Sequence, residues 1–395
     1  MNSKELIELE KSLGANNYKP LDVIIESGNG VWVKDVEGKE YLDCLAAYSA
    51  LNQGHCHPKI KDAMFEQAEA ITLTSRAFRN DKLPLLYKKL NEMTGYEMIL
   101  PMNSGAEAVE TAIKAVRKWG YNIKGIEENK AEIIVATDNF HGRTLSIVSF
   151  STEEQYKQGF GPFTPGFKIV KYGDINEIKS AINENTAGIL VEPIQGEAGI
   201  IIPPDGYLKV IREICDEKNI AFICDEIQSG LGRSGKLFAF EYENIRPDMV
   251  IIGKALSGGF YPVSAVLSSK EILGVFNPGD HGSTFGGNPL GSAVAIAALN
   301  VLEDENLIEN SYELGNYFLS KLKEIDSPKI KEVRGKGLWI GIELKEKARP
   351  YCEKLMELGI LCKDTHENII RVAPPLVIKK EEIDWAMERF NKVLS

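Results

Sequence analysis

The sequence predicts an α/β fold with two domains. Three observations lead to this prediction: 395 residues exceed what one hydrophobic core usually organises, short runs rich in Val and Ile recur, and helical patterns separate several of those runs. Continuous apolar runs are typical of strands buried on both faces of a mainly parallel sheet. The runs predicted as strands are residues 132–136, 168–171, 188–192, 221–225, 249–253 and 264–267, with a helix predicted over 207–218.

The two ends of the chain predict a second, smaller unit. Residues 1–20 begin with an amphipathic helix that ends near Gly14, and strands at 31–33 and 41–43 and a helix at 59–70 follow. After Pro289, an Ala-rich helix (290–302) leads into helices near 311–324 and 381–393 and strands near 338–344 and 369–372. We therefore expect a large domain at 51–290, a smaller C-terminal α/β domain at 291–395, and an N-terminal segment at 1–50 that packs with the small domain.

Composition argues against two classes of partner. The net charge of −11 and the pI of about 5.2 argue against a nucleic-acid partner, because a phosphate backbone requires a basic protein face. The first residues are charged and no run of about 18 apolar residues occurs, so we expect no membrane segment and a cytoplasmic location. The six cysteines form no CxxC pair, which favours free thiols.

A lysine and an aspartate each stand at the end of a predicted strand. Lys254 follows residues 249–253, and ligands of open α/β sheets bind beyond the carboxyl ends of strands. Asp225 ends the strand at 221–225, where its carboxylate must find a cation or hydrogen-bond donors. The protonated pyridine ring of a cofactor is one such cation. The plainer alternatives are a structural ion pair for Asp225 and a surface position for Lys254.

Two further segments carry residues that suit a phosphorylated, planar cofactor. Ser104, Gly105 and Ala106 form a small-residue turn that opens a helix, where free amides can bind a phosphate, although a simple helix cap explains the same residues. Phe140 and Arg143 follow another strand, where the ring can stack on a cofactor and the guanidinium can bind a carboxylate. The alternatives are a core phenylalanine and a surface arginine.

Several ordered blocks, taken together, resemble the class III pyridoxal-phosphate-dependent aminotransferases. The resemblance runs from about Gly14 to the C-terminus, and its blocks lie at residues 52–58, 191–197, 225–230, 253–256, 282–289 and 371–375. It implies a fold of type I, with a large domain around a mainly parallel central sheet and a smaller C-terminal domain. It also implies a homodimer with shared active sites, in which Ser283 and Thr284 reach the phosphate bound by the neighbouring subunit; assembly beyond the dimer stays open.

The resemblance implies a role for each cofactor residue. Lys254 would hold pyridoxal 5'-phosphate covalently and move a proton, and Asp225 would pair with its ring nitrogen. The remaining contacts would come from Gln228 to the ring hydroxyl, from Phe140 and Ile227 to the two ring faces, and from Ser104, Gly105 and Ala106 to the phosphate.

Within the family, Tyr18 and Tyr48 lie in blocks that resemble the members acting on ornithine. The implied ping-pong reaction moves the δ-amine of L-ornithine to 2-oxoglutarate and yields L-glutamate 5-semialdehyde and L-glutamate, in ornithine–proline metabolism. N-acetylornithine and 4-aminobutyrate are the alternative donors. Glu197 would cover Arg371 until 2-oxoglutarate arrives, and Tyr18 and Arg143 would hold the far carboxylate of ornithine. His141 stands where some relatives carry tryptophan.

Two other motifs suggest different functions. Residues 230–235 match GxGxxG after a strand, as in dinucleotide-binding enzymes, but the following residues do not predict the helix that this site requires. The adjacent His55, Cys56 and His57 invite a metal site, although neighbouring residues chelate one ion poorly and a structural role before Pro58 is favoured.

Overall fold

The structure is a computed structural model that describes residues 1–395. Its strands are β1 (Ile25–Asn29), β2 (Trp32–Asp35), β3 (Glu40–Asp43), β4 (Met98–Met102), β5 (Glu132–Ala136), β6 (Phe167–Val170), β7 (Thr186–Val191), β8 (Ala221–Asp225), β9 (Met249–Ile252), β10 (Ser264–Ser268), β11 (Ile330–Lys336), β12 (Trp339–Leu344), β13 (Ile360–Leu361), β14 (Lys363–Thr365) and β15 (Ile369–Val372).

The helices surround and connect these strands. They are α1 (Ser3–Leu13), α2 (Ala46–Ser49), α3 (Pro58–Ala70), α4 (Lys82–Thr94), α5 (Gly105–Trp119), α6 (Leu145–Val148), α7 (Glu154–Lys157), α8 (Ile175–Ala181), α9 (Tyr207–Lys218), α10 (Lys270–Leu273), α11 (Pro289–Asp304), α12 (Leu307–Lys323), α13 (Arg349–Glu357) and α14 (Lys380–Leu394). None of them combines the length and apolar character that crossing a membrane requires.

A seven-stranded sheet forms the centre of the molecule, with strand order β4-β10-β9-β8-β7-β5-β6. Only β10 runs against its two neighbours, while β9, β8, β7, β5 and β6 pair in parallel. Every residue of β7, β8, β9 and β10 is buried, as expected for strands covered on both faces. The predicted α/β class with a mainly parallel central sheet is therefore confirmed.

Two smaller sheets bring the ends of the chain together. The first has the order β1-β2-β3-β13, in which Ile360 of the C-terminal segment pairs in parallel with Leu42. The second has the order β11-β12-β15-β14. The first 50 residues thus share a sheet with the C-terminal segment. This pairing supports the expected division at residues 50 and 290, which stays a prediction.

Most predicted elements lie within a few residues of their observed positions, but several strands were not predicted. One of them is β4, whose sequence Met-Ile-Leu-Pro-Met contains Pro101. Proline cannot donate a hydrogen bond within a sheet, so it is tolerated in a strand that lies at a sheet edge. That is where β4 lies, since it pairs only with β10.

The GxGxxG segment builds turns around a buried arginine. Gly232 and Gly235 adopt φ values of +90° and +84°, and a short 3₁₀ turn (Ala239–Glu243) follows in place of a dinucleotide-binding helix. Arg233 is fully buried and donates to the carbonyls of Leu338 and Pro374 at 2.9 and 2.6 Å. It also donates to Oδ1 of Asn52 at 2.6 Å. This segment therefore links the central sheet to both ends of the chain.

Removing this buried arginine tests how much of the stability depends on the link. We expect Arg233→Met to lower the free energy of unfolding by about 3–5 kcal/mol, because three buried acceptors lose their donor. The midpoint of thermal unfolding, followed by circular dichroism, measures the loss. The control is Arg246→Met, since Arg246 is exposed and also donates to a carbonyl, that of Thr94. Equal midpoints for the two variants would contradict the prediction.

Candidate active site

Five strands of the central sheet end beside one cavity. The segments that follow β4, β5, β7, β8 and β9 line it, because the carboxyl ends of strands running in one direction meet at the same edge. The cavity has a volume of about 180 Å³. Its lining residues are Gly105, Ala106, Phe140, His141, Gly142, Glu192, Ile194, Asp225, Ile227, Gln228, Ser229 and Lys254.

Lys254 directly follows β9 and begins a short 3₁₀ turn (Lys254–Ser257). Its backbone lies in the left-handed region, with φ +44°, a conformation that is rare outside glycine and is found at functional sites. Burial lowers the pKa of its amine to about 8, although the nearby carboxylates of Glu197, Asp225 and Glu192 oppose the shift. Lys254 therefore has an appreciable uncharged fraction near neutral pH, as a nucleophilic amine requires.

Asp225 is buried and forms a hydrogen-bonded pair with a histidine. Its Oδ2 lies 2.7 Å from Nδ1 of His141, and its Oδ1 accepts the backbone N–H of Ile227 at 3.0 Å. Burial lowers the pKa of His141, but the hydrogen bond and charge of Asp225 outweigh it, so that the pKa is raised overall. The other ring nitrogen, Nε2, is buried without a partner. His141 was not predicted to contact Asp225, because the two residues are far apart in sequence.

Glu192 is a second buried carboxyl in the cavity. It follows β7, and its side chain accepts the backbone N–H groups of Phe140 at 3.0 Å and of Gly196 at 3.4 Å. Burial raises its pKa to about 7, and the charge of Asp225 adds to that shift. Glu192 thus fixes the backbone that carries Phe140. No role was predicted for Glu192 from the sequence, although its position at a strand end was the available signal.

The turn before α5 carries both a helix cap and a free pair of amides. Ser104 accepts the backbone N–H of Glu107 at 3.2 Å, and the Glu107 carboxylate accepts the backbone N–H of Ser104 at 2.7 Å. The next two amides, those of Gly105 and Ala106, have no acceptor. A Cβ atom on Gly105 would lie 3.0 Å from Cδ1 of Ile227. The turn is therefore a helix cap whose first amides remain free to bind an anion.

These residues fit pyridoxal 5'-phosphate. Two free amides at a helix start suit its phosphate, and the Asp225 carboxylate at the inner wall suits its protonated ring nitrogen. Phe140 and Ile227 supply apolar groups for the ring, and Lys254 supplies the amine.

A buried ion pair borders the cavity. Arg371, only 1% exposed, donates from Nη1 to Oε1 of Glu197 at 2.9 Å and from Nη2 to Oε1 of Gln228 at 2.8 Å. Its Nε is buried without a partner. Burial raises the pKa of Glu197, but the charges of Arg371, Lys254 and Lys363 outweigh it and lower the pKa overall.

Tyr48 lies against this ion pair. Its ring centre is 5.3 Å from Cζ of Arg371, and its hydroxyl accepts a hydrogen bond from Nζ of Lys363 at 2.9 Å. Residues Ala46 to Ser49, which form α2, have φ values between +46° and +73°, so α2 is a left-handed turn. Left-handed backbone costs about 1–2 kcal/mol per residue. The strained turn therefore includes Tyr48, and strain of this kind is typical of functional sites.

Arg143 is exposed and stacks on aromatic rings. Its Cζ lies 3.7 Å from the ring centre of Tyr156 and 5.5 Å from that of Phe140. The guanidinium forms no ion pair or hydrogen bond, so its N–H donors are free beside Phe140, which lines the cavity. Tyr156 was not predicted as a site residue.

Eight of the fifteen expected site residues do not line the cavity, and three of these eight also lie outside the contacts described above. Tyr18 is 74% exposed and forms no hydrogen bond, and Thr284 is exposed. Ser283 instead accepts a hydrogen bond from Nδ2 of Asn103 at 2.8 Å, just before the free amides of α5. The expected roles of Tyr18, Ser283 and Thr284 therefore remain predictions.

The two histidines at positions 55 and 57 contact different carboxylates. Nε2 of His55 lies 2.8 Å from Oδ2 of Asp43, and Nε2 of His57 lies 3.2 Å from Oε2 of Glu305. Each imidazole therefore has a structural partner of its own. All six cysteines are free, as expected, and only Cys56 is exposed.

The family model for class III aminotransferases matches residues 13–394. The chain belongs to this family. Class III aminotransferases depend on pyridoxal phosphate, and the cofactor that the cavity fits is therefore the one the family uses.

Individual relatives match the chain over its whole length. An ornithine aminotransferase from Geobacillus sp. (strain WCH70) is 62% identical over 391 residues, which cover 99% of this chain and 98% of the relative. The crystal structure of the ornithine aminotransferase from Toxoplasma gondii ME49 is 42% identical, with a TM-score of 0.98, and the match covers 100% of this chain and 95% of that one. The acetylornithine aminotransferase from Elizabethkingia anophelis is 48% identical, with a TM-score of 0.91 and coverage of 100% and 99%.

The raised pKa of Glu192 predicts a pH dependence of stability in the cofactor-free protein. A pKa raised from 4.5 to about 7 stabilises the fold while the carboxyl is protonated, and this contribution is lost as the pH rises through about 7. We therefore expect the unfolding midpoint of the wild type to fall more steeply between about pH 5 and 7.5 than that of Glu192→Gln. Scanning calorimetry measures both profiles. The exposed Glu184→Gln control should keep the wild-type slope, and equal slopes for all three proteins would refute the prediction.

Proposed function

We propose that the protein is an ornithine δ-aminotransferase, which converts L-ornithine and 2-oxoglutarate into L-glutamate 5-semialdehyde and L-glutamate. The observation that carries this proposal is the closed Arg371–Glu197 pair beside Lys254. While this pair is closed, the charge of Arg371 is neutralised by Glu197 and does not attract an α-carboxylate. The ornithine aminotransferases that match the whole chain support the same substrate.

The cavity residues would hold the cofactor as follows. Asp225, supported by His141, keeps the ring nitrogen protonated, and the amides of Gly105 and Ala106 with the Ser104 hydroxyl bind the phosphate. The ring faces contact Phe140 and Ile227, and the ring hydroxyl contacts Gln228. When bound, the cofactor supplies a carbonyl for the substrate amine and a ring that accepts electron density from the neighbouring carbon.

Lys254 has two tasks in this proposal. It would hold the cofactor covalently, and its amine would move a proton to and from the substrate carbon. A pKa of about 8, lowered by burial, suits both directions of transfer near neutral pH.

The orientation of ornithine follows from the charges around the cavity. If Arg371 were free, it would bind the α-carboxylate and direct the α-amine towards Lys254. With Glu197 paired at 2.9 Å, that carboxylate is directed instead to Arg143 at the mouth, with Tyr18 completing the contact. The δ-amine then lies towards Lys254.

The second substrate requires the opposite state of the ion pair. The α-carboxylate of 2-oxoglutarate binds Arg371 after Glu197 has moved aside, and Arg143 binds the distal carboxylate. The keto group is then presented where the δ-amine of ornithine was. Arg371 thus discriminates between the two half-reactions through Glu197.

The proposal includes a homodimer in which Ser283 and Thr284 contact the phosphate bound by the neighbouring subunit. This part of the proposal rests on the resemblance to the family, since the hydrogen bond from Asn103 to Ser283 lies within one chain.

An acetylornithine aminotransferase is the second candidate, since one such enzyme is 48% identical to this chain. The position of Tyr48 supports ornithine over N-acetylornithine. Its phenol, held by Lys363, lies beside the closed ion pair and presents a polar surface where ornithine's charged α-groups would pass. An acetylated α-amine would lose that charge.

The substrate is tested by single half-reactions. Purified holoenzyme is mixed with L-ornithine, N-acetylornithine, 4-aminobutyrate or L-lysine, and conversion of the cofactor is followed by absorbance. We expect ornithine to have the highest kcat/KM, by roughly tenfold or more, which corresponds to about 1.4 kcal/mol. Lys254→Ala should convert none of them, while Lys270→Ala, an exposed lysine, should behave as wild type. A faster reaction with N-acetylornithine would overturn the choice of substrate.

We call the Glu197–Arg371 ion pair, which is closed for ornithine and open for 2-oxoglutarate, the gate. A separate prediction concerns this gate. We expect Glu197→Ala to lower the ratio of kcat/KM for ornithine to that for glutamate by roughly ten- to a hundredfold, or about 1.4–2.8 kcal/mol. The reason is that a free Arg371 binds α-carboxylates and turns the α-amine of either substrate inward. The control is Glu153→Ala. Glu153 and Glu197 both line a second, outer cavity of about 710 Å³, and the control removes a carboxylate there without changing Arg371. An unchanged ratio in Glu197→Ala would rule out the gate.

A further inference from the structure

Lys363 lies directly opposite Arg371 in the C-terminal sheet. The two residues are register partners on the antiparallel strands β14 and β15, so their side chains project from the same face. Like charges placed in this way repel each other unless an anion lies between them. The pair therefore needs the Glu197 carboxylate, which is bound to Arg371.

The charge of Lys363 is not paired with a carboxylate. It is half-buried and forms no ion pair, and its one hydrogen bond is to the Tyr48 hydroxyl at 2.9 Å. An ammonium group has three donors, so two remain. Tyr48 lies between the two cations, since its ring centre is 5.2 Å from Nζ of Lys363 and 5.3 Å from Cζ of Arg371.

Glu197 is attached to the same strand by its backbone. Oγ1 of Thr365, two residues from Lys363 on β14, donates to the carbonyl of Glu197 at 2.7 Å. Burial lowers the pKa of Lys363, but the Tyr48 hydrogen bond and the charges of Glu197 and Asp364 raise it overall. Glu197 also faces the outer cavity of about 710 Å³, which leaves room for its side chain to turn while its backbone stays in place.

Opening the ion pair creates an electrostatic problem. A carboxylate that leaves Arg371 in a buried site must find another cation, because an unpaired buried charge costs several kcal/mol. Lys254 is engaged with the reacting groups, and Arg143 is directed to the distal carboxylate in the proposed function. Lys363 is the remaining one of the three cations whose charges lower the pKa of Glu197.

We propose that Lys363 is a positioning residue for the second half-reaction, in which it receives the Glu197 carboxylate that 2-oxoglutarate displaces from Arg371. This inference rests on the proposed function, because it concerns the same gate. Lys363 stabilises the open state and so raises the fraction of enzyme able to bind 2-oxoglutarate. The closed state retains the ion pair that ornithine requires.

The test compares the two half-reactions in Lys363→Met. We expect KM for 2-oxoglutarate, and Kd for the unreactive dicarboxylate glutarate measured by calorimetry, to rise about tenfold. We expect kcat at saturation to stay within about twofold, because no group that contacts the reacting atoms is altered. Lys363→Arg should restore the affinity for glutarate, since it retains the charge. Unchanged affinity in Lys363→Met would overturn the proposal.

The matched control removes a charge from the same side of the molecule. Lys347 lines the outer cavity and is exposed, and it forms no ion pair or hydrogen bond. Lys347→Met should therefore leave the affinity for glutarate at the wild-type value. An equal loss in both variants would assign the effect to the general positive potential and would overturn the role of Lys363. Lys363→Gln also removes the charge and should weaken glutarate binding as Lys363→Met does. The unfolding midpoint of each variant shows whether a loss of affinity comes from a loss of folding.

A double mutant separates failure of this inference from failure of the proposed function. In a Glu197→Ala background no carboxylate needs a new partner, so adding Lys363→Met should not weaken glutarate binding further. A further tenfold loss would show that Lys363 binds the dicarboxylate itself, and the inference would be wrong while the gate stood. If Glu197→Ala alone left the ornithine-to-glutamate ratio unchanged, the gate in the proposed function would fail first.

Discussion

Parallel pairing of β7, β8 and β9 determines where the charged groups of the site lie. Val191 pairs with Cys224 and Asp225 pairs with Ile251, so that the three strands end nearly level. Three side chains that line the cavity therefore lie at or just beyond these strand ends. Glu192 follows β7, Asp225 ends β8, and Lys254 follows β9 after Gly253. A shift of one residue in this register would turn Asp225 to the opposite face of the sheet. The apolar, fully buried strands make such a shift costly, so the core of the fold also holds the geometry of the site.

The cavity and its border hold several ionisable groups at low exposure, and two of the carboxylates are paired with a basic side chain. His141 compensates Asp225, and Arg371 compensates Glu197. Glu192 has no cation in direct contact, and its pKa rises to about 7 through burial. Burial instead lowers the pKa of Lys254, to about 8. The site thus contains one carboxyl, that of Glu192, and one amine, that of Lys254, whose pKa values lie near neutrality.

The ion pair beside Lys254 connects this electrostatic arrangement to specificity. In the proposed reaction a dicarboxylate and a diamino acid react at the same position, but Arg371 must be free for the first and neutralised for the second. A carboxylate that moves would meet both requirements without a second binding site. The C-terminal sheet contributes both the guanidinium and, on the neighbouring strand, the lysine that faces it. Tyr48, presented by the left-handed turn of α2, lies between them. The N-terminal segment therefore takes part in the site as well as in the fold.

The sequence by itself determined the fold class and most segments of the central strands, because buried strands have a distinctive apolar composition. Residues that follow such strands were candidates for a ligand site, and the resemblance to the family assigned the cofactor to them. The sequence could not determine partners that come from distant segments. His141 beside Asp225, Glu192 beneath the Phe140 backbone and Lys363 opposite Arg371 each depend on strand order and register. The edge strand β4 was missed for a related reason, since Pro101 is acceptable only at an edge, and strand order decides which strands are edges. Local composition thus determined which groups the protein carries, and tertiary structure decided which of them meet and with what charge.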